Sequence, residues 1–363
     1  GSAMNIFATC LPGLEDVLAE ELKDKRIGAE YSVVPGGVEF EGELIDMGRA
    51  NRELGVAQNV RVRIAEFRAT KLPQLANKSM TVPFDEWLVR DQPLRVRVTA
   101  RKSRLYHTGA IKERILRGVH ERLGGEVEEG DGQQLLVRVS DNQVSISFDS
   151  SGAPLHRRGY RLASAKAPLR EDLACALLRV SGWDRRSPLV DPMMGSGTIA
   201  IEAAMLAAGA ASGAGRRFAF EDSPLCASLV LPDVAVSESP PIFGSDRDAG
   251  ALEAATSNAE RAGVADRLSL SLAPLSSAPG MDSAVGWVVT NPPYGQRMGK
   301  KLRPLFQRLG ALIRERDGWG FACVFPEADF PRRMGVELKS ALMSDHGGTK
   351  VRFFRSVPSS IER

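Results

Sequence analysis

The sequence predicts an α/β fold with a mostly parallel sheet in its C-terminal part, preceded by a smaller α+β region. Strand-like apolar runs alternate with helical runs from about residue 166 to residue 363, and this order is typical of right-handed βαβ units. Three of the predicted strands end in loops rich in Gly, Pro or Asp. Because ligands of parallel sheets lie beyond the carboxyl ends of the strands, these loops predict a site at one edge of the sheet.

The first block, about residues 4–50, combines a strand-like start at 5–10, a helical segment at 14–22 and a Gly-rich turn at 36–37. The helical segment has one apolar face, since its apolar residues recur at steps of three and four. These residues are Leu14, Val17, Leu18 and Leu22. The block therefore predicts a small α+β unit.

The second block, about residues 51–153, predicts several strands and one long helix. Its strand-like stretches are rich in β-branched and other apolar residues. They lie at 60–64, 94–99, 134–139 and 143–149. The helix at 110–123 has apolar residues four apart and is followed by Gly124, a common residue at helix ends.

Positive charge is concentrated in this second block. Between Arg95 and Arg122 it has nine Lys or Arg and two Glu, whereas the whole chain has a formal charge of only +3. A solvated helix face explains many charge runs, but this excess lies beside Tyr106 and His107, which can stack on bases or contact phosphate. The block and a basic connector at 154–165 therefore predict a surface for nucleic acid. The candidate residues for contact with nucleic acid are Arg101, Lys102, Arg104, His107, Lys112, Arg157, Arg158 and Arg161.

The third block, residues 166–363, contains the alternating pattern. Helices are predicted at 169–181, 198–210, 249–262 and 302–316. Strands are predicted at 188–190, 241–244, 286–290 and 320–325. The stretch 211–240 is poorly periodic and is predicted to be a long insertion.

Composition argues against several classes of protein. Apolar residues make up 43% of the chain, as in ordinary soluble domains. The four Cys and four His are scattered, which argues against a metal site or a disulfide framework. No apolar run approaches the roughly 18 residues of a membrane span, so no membrane partner is expected. The start, Gly1 to Ala3, resembles an expression remnant before Met4, and without a signal peptide the expected location is cytoplasmic.

The loop DPMMGSGT, from Asp191 to Thr198, joins a predicted strand to a predicted helix. Gly195 and Gly197 permit a tight turn and close approach of a ligand, and the helix N-terminus offers free N–H groups. The dinucleotide pattern is weakened because Ala200 stands in place of its third Gly, and no Gly-Lys-Ser/Thr of a phosphate loop follows. An acid before the glycines suits a ligand with an amino group. The candidate cofactor-binding residues are Asp191, Pro192, Gly195, Ser196, Gly197 and Thr198.

The next predicted strand ends near Asp246. An acid at this position can accept both hydroxyls of a ribose, as in nucleotide-binding α/β folds. The alternative is that Asp246 or Asp248 caps the helix that follows. The two roles can belong to different residues of the pair.

The third loop, Asn291-Pro292-Pro293-Tyr294, follows an apolar strand. The prolines end the strand because each lacks a backbone N–H. Alone, this tetrapeptide is consistent with a simple turn; after a glycine loop and a strand-end acid, it predicts a catalytic site. The Asn291 side-chain oxygen and the Pro292 carbonyl can accept hydrogen bonds from the two N–H groups of a planar amine. Tyr294 can stack on a flipped base. Asn291 also counts among the candidate cofactor-binding residues.

With these motifs, the chain resembles the THUMP-containing family of RNA guanine-N2 methyltransferases over nearly its whole length. MNIFATCLPGLEDVLAEEL is similar to the family's ferredoxin-like start, and RLYHTGAIKERI with HRRGYR to its THUMP domain and connector. DPMMGSGTIAIEAAML and VVTNPPYGQRMG are similar to its catalytic domain. The resemblance implies a Rossmann-like class I methyltransferase domain that binds S-adenosylmethionine around Asp191, Gly195 and Asp246. It implies catalytic roles for Asn291, Pro292, Pro293 and Tyr294, and an RNA partner held by the THUMP domain.

The resemblance favours 23S ribosomal RNA as the substrate, with transfer RNA as the alternative. A DNA adenine-N6 methyltransferase stays open because the same tetrapeptide serves any planar amine. A non-catalytic RNA-binding or assembly protein also stays open, because of one departure from the family. Its members usually carry an acid after the next strand that holds the adenine amino group, whereas no Asp or Glu lies between Leu268 and Gly280.

Overall fold

The computed structural model describes residues 3–162, 168–294, 302–346 and 348–358. Each half of the chain forms a seven-stranded sheet. The strands of the first half are β1 (Met4–Thr9), β2 (Ala29–Val34), β3 (Gly37–Gly42), β4 (Asn59–Arg68), β5 (Leu94–Arg101), β6 (Gln133–Ser140) and β7 (Gln143–Asp149). Its helices are α1 (Glu15–Asp24), α2 (Leu44–Glu53), α3 (Leu72–Ser79), α4 (Phe84–Trp87) and α5 (Thr108–Leu123).

The first sheet has the strand order β2-β3-β1-β4-β7-β6-β5 and is antiparallel except for the parallel pair β5 and β6. It joins the two predicted N-terminal blocks, because β1 pairs with β4 and places Ile6 opposite Val62. The predicted long helix is α5, and Gly124 ends it in the left-handed conformation, with φ 74°. The boundary between residues 50 and 51 falls inside α2, between strands β3 and β4 of this one sheet, and stays a prediction.

The second half contains the elements of the predicted α/β region. Its strands are β8 (Leu189–Asp191), β9 (Ile242–Asp246), β10 (Ser269–Leu272), β11 (Gly286–Thr290), β12 (Trp319–Phe325), β13 (Lys339–His346) and β14 (Thr349–Ser356). Its helices are α6 (Glu171–Val180), α7 (Thr198–Ala208), α8 (Ala249–Arg261), α9 (Leu302–Arg314) and α10 (Phe330–Met334).

The second sheet has the strand order β10-β9-β8-β11-β12-β14-β13. The first five strands of this order are parallel, and β14 runs antiparallel to both β12 and β13. The prediction of a mostly parallel sheet is confirmed. The strand order reverses at β8, which lies between β9 and β11, so a crevice opens beyond the carboxyl ends of β8 and β11.

Burial on both faces explains why the central strands were recognisable in the sequence. Every residue of β11 and β12 is buried, because helices cover both faces of a parallel sheet. Such strands are continuous apolar runs, and both were predicted nearly to their ends. The helices predicted around them correspond to α6, α7, α8 and α9, each shorter by one to three residues.

Three strands of the second sheet were not predicted. β10 has the sequence SLSL, lies at the edge and has no fully buried residue. β13 and β14 form a C-terminal hairpin with a register shift between Ser340 and Leu342. These strands pair with their neighbours through the backbone, but their sequences lack a continuous apolar pattern. The sequence signal for a strand is therefore weak at these positions.

The two halves are packed together. One contiguous cluster of buried apolar residues extends from Ile6 in β1 to Phe353 in β14, and α1 packs against α6. The predicted insertion at 211–240 has only two short 3₁₀ turns among its described residues, and its Leu231 lies against Gly48 of α2. None of the helices that the structure describes has the length and apolarity to cross a bilayer.

Candidate active site

A cleft of about 890 Å³ lies at the reversal point of the second sheet. The loops after β8, β9, β10 and β11 line it, together with α9. It brings together the three loops that the sequence singled out. The predicted residues in its lining are Asp191, Pro192, Gly195, Ser196, Thr198, Asp246, Asn291, Pro292, Pro293 and Tyr294.

The glycine loop turns sharply between β8 and α7. Gly195 and Gly197 have φ of 52° and 85°, values that favour glycine. Gly197 supports packing instead of lining the cleft, because a Cβ there would lie 2.9 Å from the Ala255 Cβ of α8. The loop thus places the free N–H groups of the α7 N-terminus at the cleft, where they suit an anionic group.

Asp191 is the last residue of β8 and is almost fully buried. Its carboxylate accepts hydrogen bonds from the Thr290 hydroxyl at 2.7 Å and from the Met193 N–H at 3.2 Å. Burial raises the pKa of Asp191 to about 7, with a smaller contribution from the charge of Asp246 and against the two hydrogen bonds. A cationic ligand group at this point would favour the ionised carboxylate.

Asp246 and Asp248 have different contacts in the structure, and only the predicted helix cap is seen directly. The Asp248 side chain caps α8 by accepting from the Gly250 N–H at 3.1 Å. Asp246 instead ends β9, lines the cleft and accepts from the Gly195 N–H at 3.0 Å. Its other oxygen accepts from the Asp248 N–H at 2.9 Å. The carboxylate retains further lone pairs, so it can still accept from a ligand hydroxyl.

The Asn-Pro-Pro-Tyr loop lines the cleft and contains a buried acceptor. The Asn291 Oδ1 atom is buried and has no hydrogen-bond partner among the described residues. Pro292 beside it is buried. The Tyr294 ring packs edge-on against Phe325, with centroids 5.9 Å apart, and burial raises the pKa of its hydroxyl. A buried acceptor without a donor is costly unless a ligand supplies one, which indicates a binding position for an N–H group.

The far end of the cleft is apolar. Pro274 and Leu275, just after β10, line it where the resembled family usually has an acid. The acids that line the described part of the cleft are Asp191, Asp246 and Asp248. Among the residues that the structure describes, no group of three or more His, Cys, Asp or Glu could hold a metal ion.

Several predicted RNA-binding residues lie at the end of β5 and on the exposed loop between β5 and α5. Arg101, Lys102, Arg104 and His107 are all exposed, and the His107 ring lies 4.3 Å from the ring of Tyr106, which is 65% exposed. Two further candidates differ in their surroundings. Lys112 on α5 pairs with Glu129 at 2.8 Å, and Arg157 in the connector is exposed.

The prediction that Arg158 contacts RNA is wrong, because the structure buries this side chain. Its guanidinium is 1% exposed and pairs with Glu202 of α7 at 2.7 Å. It also donates to the carbonyls of Gly55 at 2.8 Å and Leu155 at 2.9 Å. Arg158 therefore connects the first half of the chain to α7 from inside the protein.

Arg161 also turns inward. Its guanidinium pairs with Glu171 at 3.0 Å and donates to the Thr198 hydroxyl at 2.7 Å. Sequence reasoning missed Thr290, although a polar residue at the end of an apolar strand and directly before Asn291 was a usable signal. It also could not predict that Arg161 contacts Thr198, which lines the cleft, since a basic residue in a connector has no sequence signature of its partners.

Two family models match the chain. Residues 158–341 match the model described as the RMKL-like methyltransferase domain, and residues 5–61 match the RlmL ferredoxin-like domain. The first match contains the cleft and all three of its predicted loops.

Two curated relatives are similar over nearly the whole chain. The putative RNA methyltransferase YpsC of Bacillus subtilis is 31% identical, over 96% of this chain and 95% of that protein. The ribosomal RNA large subunit methyltransferase K/L of Syntrophotalea carbinolica is 32% identical, over 96% of this chain and 53% of that protein. The chain thus spans about half the length of the K/L relatives that it matches.

Two solved structures share the fold. SMU.472, a putative methyltransferase complexed with SAH, is 25% identical, covers 99% of both chains and has a TM-score of 0.81. A protein of Listeria monocytogenes described as a predicted N6-adenine-specific DNA methylase is 30% identical, with a TM-score of 0.82, over 97% of this chain and 96% of that chain. Both similarities include the two sheets together.

Proposed function

We infer the function from the premise that the chain belongs to the RMKL-like methyltransferase family. We propose that it is an RNA methyltransferase that transfers a methyl group from S-adenosylmethionine to the exocyclic N2 of a guanine, in 23S ribosomal RNA. The observation that carries the proposal is that Asn291, whose buried Oδ1 has no hydrogen-bond partner in the described part of the chain, lines the same cleft as the glycine loop.

The residues that line the cleft fit the functional groups of S-adenosylmethionine. Asp191 at the end of β8 suits the ammonium of the amino acid, and Asp246 suits the ribose hydroxyls. The apolar Pro274 and Leu275 suit an adenine ring. SMU.472, the solved structure with SAH, shares the fold over 99% of both chains. When bound, S-adenosylmethionine supplies an electrophilic methyl group on a sulfonium.

The protein's own residues act on the amine that receives the methyl group. An exocyclic amine of a base is a weak nucleophile, because its lone pair is delocalised into the ring. The Asn291 Oδ1 and the Pro292 carbonyl accept hydrogen bonds from its two N–H groups. These contacts favour a pyramidal nitrogen, whose lone pair is less delocalised into the ring and is directed at the methyl group. Tyr294 stacks on the extruded base. Positioning and preorganised dipoles supply the catalytic effect.

The preference for RNA rests on three kinds of support. The loop between β5 and α5 carries exposed cations beside an exposed aromatic pair, which suits an RNA backbone and an unpaired base. YpsC and the K/L relatives carry RNA methyltransferase names. The resemblance of residues 51–153 to a THUMP domain supports the same partner. This proposal includes guanine N2 as the methylated atom and ribosomal RNA as the substrate. It also includes the domain limits 4–50, 51–153, 154–165 and 166–363.

Substitution of Asn291 tests the catalytic assignment. Asn291→Ala removes one acceptor, and we expect methyl transfer to fall by roughly 10²–10³-fold while SAH binding in calorimetry stays close to that of the unmodified protein. Asn77→Ala, at an exposed position of α3, is the matched control and should transfer methyl groups normally. Normal transfer by Asn291→Ala would refute the role of this residue.

The acceptor is identified by labelled methyl transfer and by mass spectrometry. Ribosomal RNA, transfer RNA and duplex DNA are offered with labelled S-adenosylmethionine, and the labelled nucleoside is identified after digestion. N2-methylguanosine in 23S ribosomal RNA, absent from a strain that lacks the protein, is the expected result. Label in transfer RNA would correct the substrate. N6-methyladenine in duplex DNA would replace the proposal with the function printed for the Listeria protein.

A further inference from the structure

The connector between the two halves reaches the cofactor cleft through Arg161. Upstream, the Leu155 N–H donates to the Gln58 carbonyl at 2.7 Å, and the Arg158–Glu202 pair attaches the connector to α7. Three residues later, the Arg161 side chain is 17% exposed and faces the start of α7. The connector therefore passes from the RNA-facing half directly to the wall of the cleft.

The Arg161 guanidinium joins two residues of that wall. Its Nη2 donates to the Leu169 carbonyl and, at 2.7 Å, to the Thr198 hydroxyl, and both Leu169 and Thr198 line the cleft. The Glu171 carboxylate, 3.0 Å away, is the counterion. One cation thus connects the segment before α6 to the first residue of α7.

The contact with Arg161 leaves the Thr198 hydroxyl free to donate a hydrogen bond to a ligand. A hydroxyl that accepts from a guanidinium keeps its own proton for another acceptor. Thr198 begins α7, where backbone N–H groups and the helix dipole already favour an anion. Asp191, by contrast, is an acid that suits an ammonium. The amino-acid end of S-adenosylmethionine carries an ammonium and a carboxylate. Asp191 before the glycine loop can therefore hold the ammonium, and the start of α7 after the loop can hold the carboxylate.

We propose that Arg161 is a positioning residue for the cofactor's amino-acid carboxylate: it orients the Thr198 hydroxyl and places a positive charge behind the α7 N-terminus. This proposal rests on the proposed use of S-adenosylmethionine. It also replaces the RNA-binding role that the sequence suggested for Arg161, because its guanidinium is bonded inside the protein.

Paired binding measurements distinguish a positioning role from a structural ion pair. SAH carries the amino-acid carboxylate, whereas 5′-methylthioadenosine has the same nucleoside and lacks the amino acid. We expect Arg161→Met to weaken SAH binding about tenfold, the size of a lost charge-assisted contact, and to leave 5′-methylthioadenosine binding unchanged in calorimetry. Equal loss for both ligands, or no loss for either, would overturn the proposal.

Two further variants keep the test decisive. Thr198→Val removes the hydroxyl at nearly constant volume and should show the same selective loss; if Arg161→Met does not fold, Thr198→Val decides. Arg170→Met is the matched control, because Arg170 is also a partly buried arginine beside α6 and pairs with Asp172 at 2.9 Å. It should lower the thermal unfolding temperature without selective loss of SAH.

The same experiment separates this proposal from the proposed function. If the unmodified protein binds neither SAH nor 5′-methylthioadenosine, the cofactor assignment fails and the role of Arg161 fails with it. If the unmodified protein binds both ligands and Arg161→Met and Thr198→Val bind them equally well, only the positioning role fails.

Discussion

The Thr290 hydroxyl donates a 2.7 Å hydrogen bond to the Asp191 carboxylate, and both residues are almost fully buried. They are the last residues of β11 and β8, which are adjacent parallel strands. One strand leads into the glycine loop and the other into the Asn-Pro-Pro-Tyr loop. This single hydrogen bond therefore links the residues that we assign to the cofactor with those that we assign to the target base.

Substitution of Thr290 tests this link. Thr290→Val keeps the shape but removes the donor, so the buried Asp191 carboxylate loses one of the two hydrogen-bond donors that the described residues give it. We expect a loss of about 1–3 kcal/mol in the free energy of unfolding by urea, together with slower methyl transfer. Thr290→Ser keeps the hydroxyl and should retain most of both. If Thr290→Val and Thr290→Ser behave alike, the hydrogen bond does not link the two loops.

The raised pKa of Asp191 predicts a pH dependence of stability. Burial raises this pKa from 3.8 to about 7, so between about pH 4 and pH 7 the folded protein keeps a proton that the unfolded chain has lost. The contribution of Asp191 to stability is therefore present at low pH and decreases as the pH rises through this window. Asp191→Asn should remove this component from a series of urea titrations, and an unchanged slope would contradict the assignment.

Cofactor affinity should have the opposite pH dependence. The ammonium of SAH favours the ionised Asp191, so we expect binding in calorimetry to strengthen from pH 5.5 to pH 7.5, and Asp191→Asn to flatten this profile. Glu171 titrates in the same range, because burial raises its pKa to about 7. Glu171→Gln is therefore the control and should keep the Asp191 component. Flattening in Glu171→Gln alone would assign the dependence to Glu171.

The exposed loop between β5 and α5 predicts salt-dependent RNA binding. Reversal of Arg101 and Arg104 to Glu should weaken RNA binding steeply and reduce the slope of log K against log salt, because fewer counterions are released. Arg332→Glu with Lys350→Glu, both exposed and in the second half, changes the net charge equally. Filter binding at several salt concentrations measures both double variants. If both double variants change the RNA affinity and its salt dependence equally, the loop is an ordinary solvated surface and not an RNA-binding site.

The buried pair Arg158–Glu202 predicts a large change in stability. Arg158→Met leaves Glu202 and its charge without a cation in the interior, and we expect a loss of about 3–5 kcal/mol in urea unfolding. Arg122→Met breaks the exposed pair with Asp85, which is 2.9 Å long, and should cost at most about 1 kcal/mol. Similar losses in both variants would contradict the role of burial. RNA affinity of the folded Arg158→Met protein should be unchanged.

The sequence predicted the elements whose signal lies in neighbouring residues. The central strands β11 and β12 were found because strands covered on both faces are continuous apolar runs, and α5 was found because its apolar residues recur four apart and Gly124 ends it. Strands with mixed composition, such as β10 and the β13–β14 hairpin, were missed, since pairing with distant strands stabilises them. The Asp246 and Asp248 pair shows the same limit, because only the structure assigned the cap to Asp248.

By itself, the sequence determined the alternating order of strands and helices, the three loops at strand ends and the residue types in them, because periodicity and loop composition are local properties. Only the tertiary structure decided which side chains meet. It gave Asp191 the hydroxyl of Thr290, left the Asn291 Oδ1 without a donor among the described residues, buried Arg158 against Glu202 and turned Arg161 toward Leu169 and Thr198. Each of these contacts joins residues distant in sequence or depends on burial from several elements, and a local pattern contains neither kind of information.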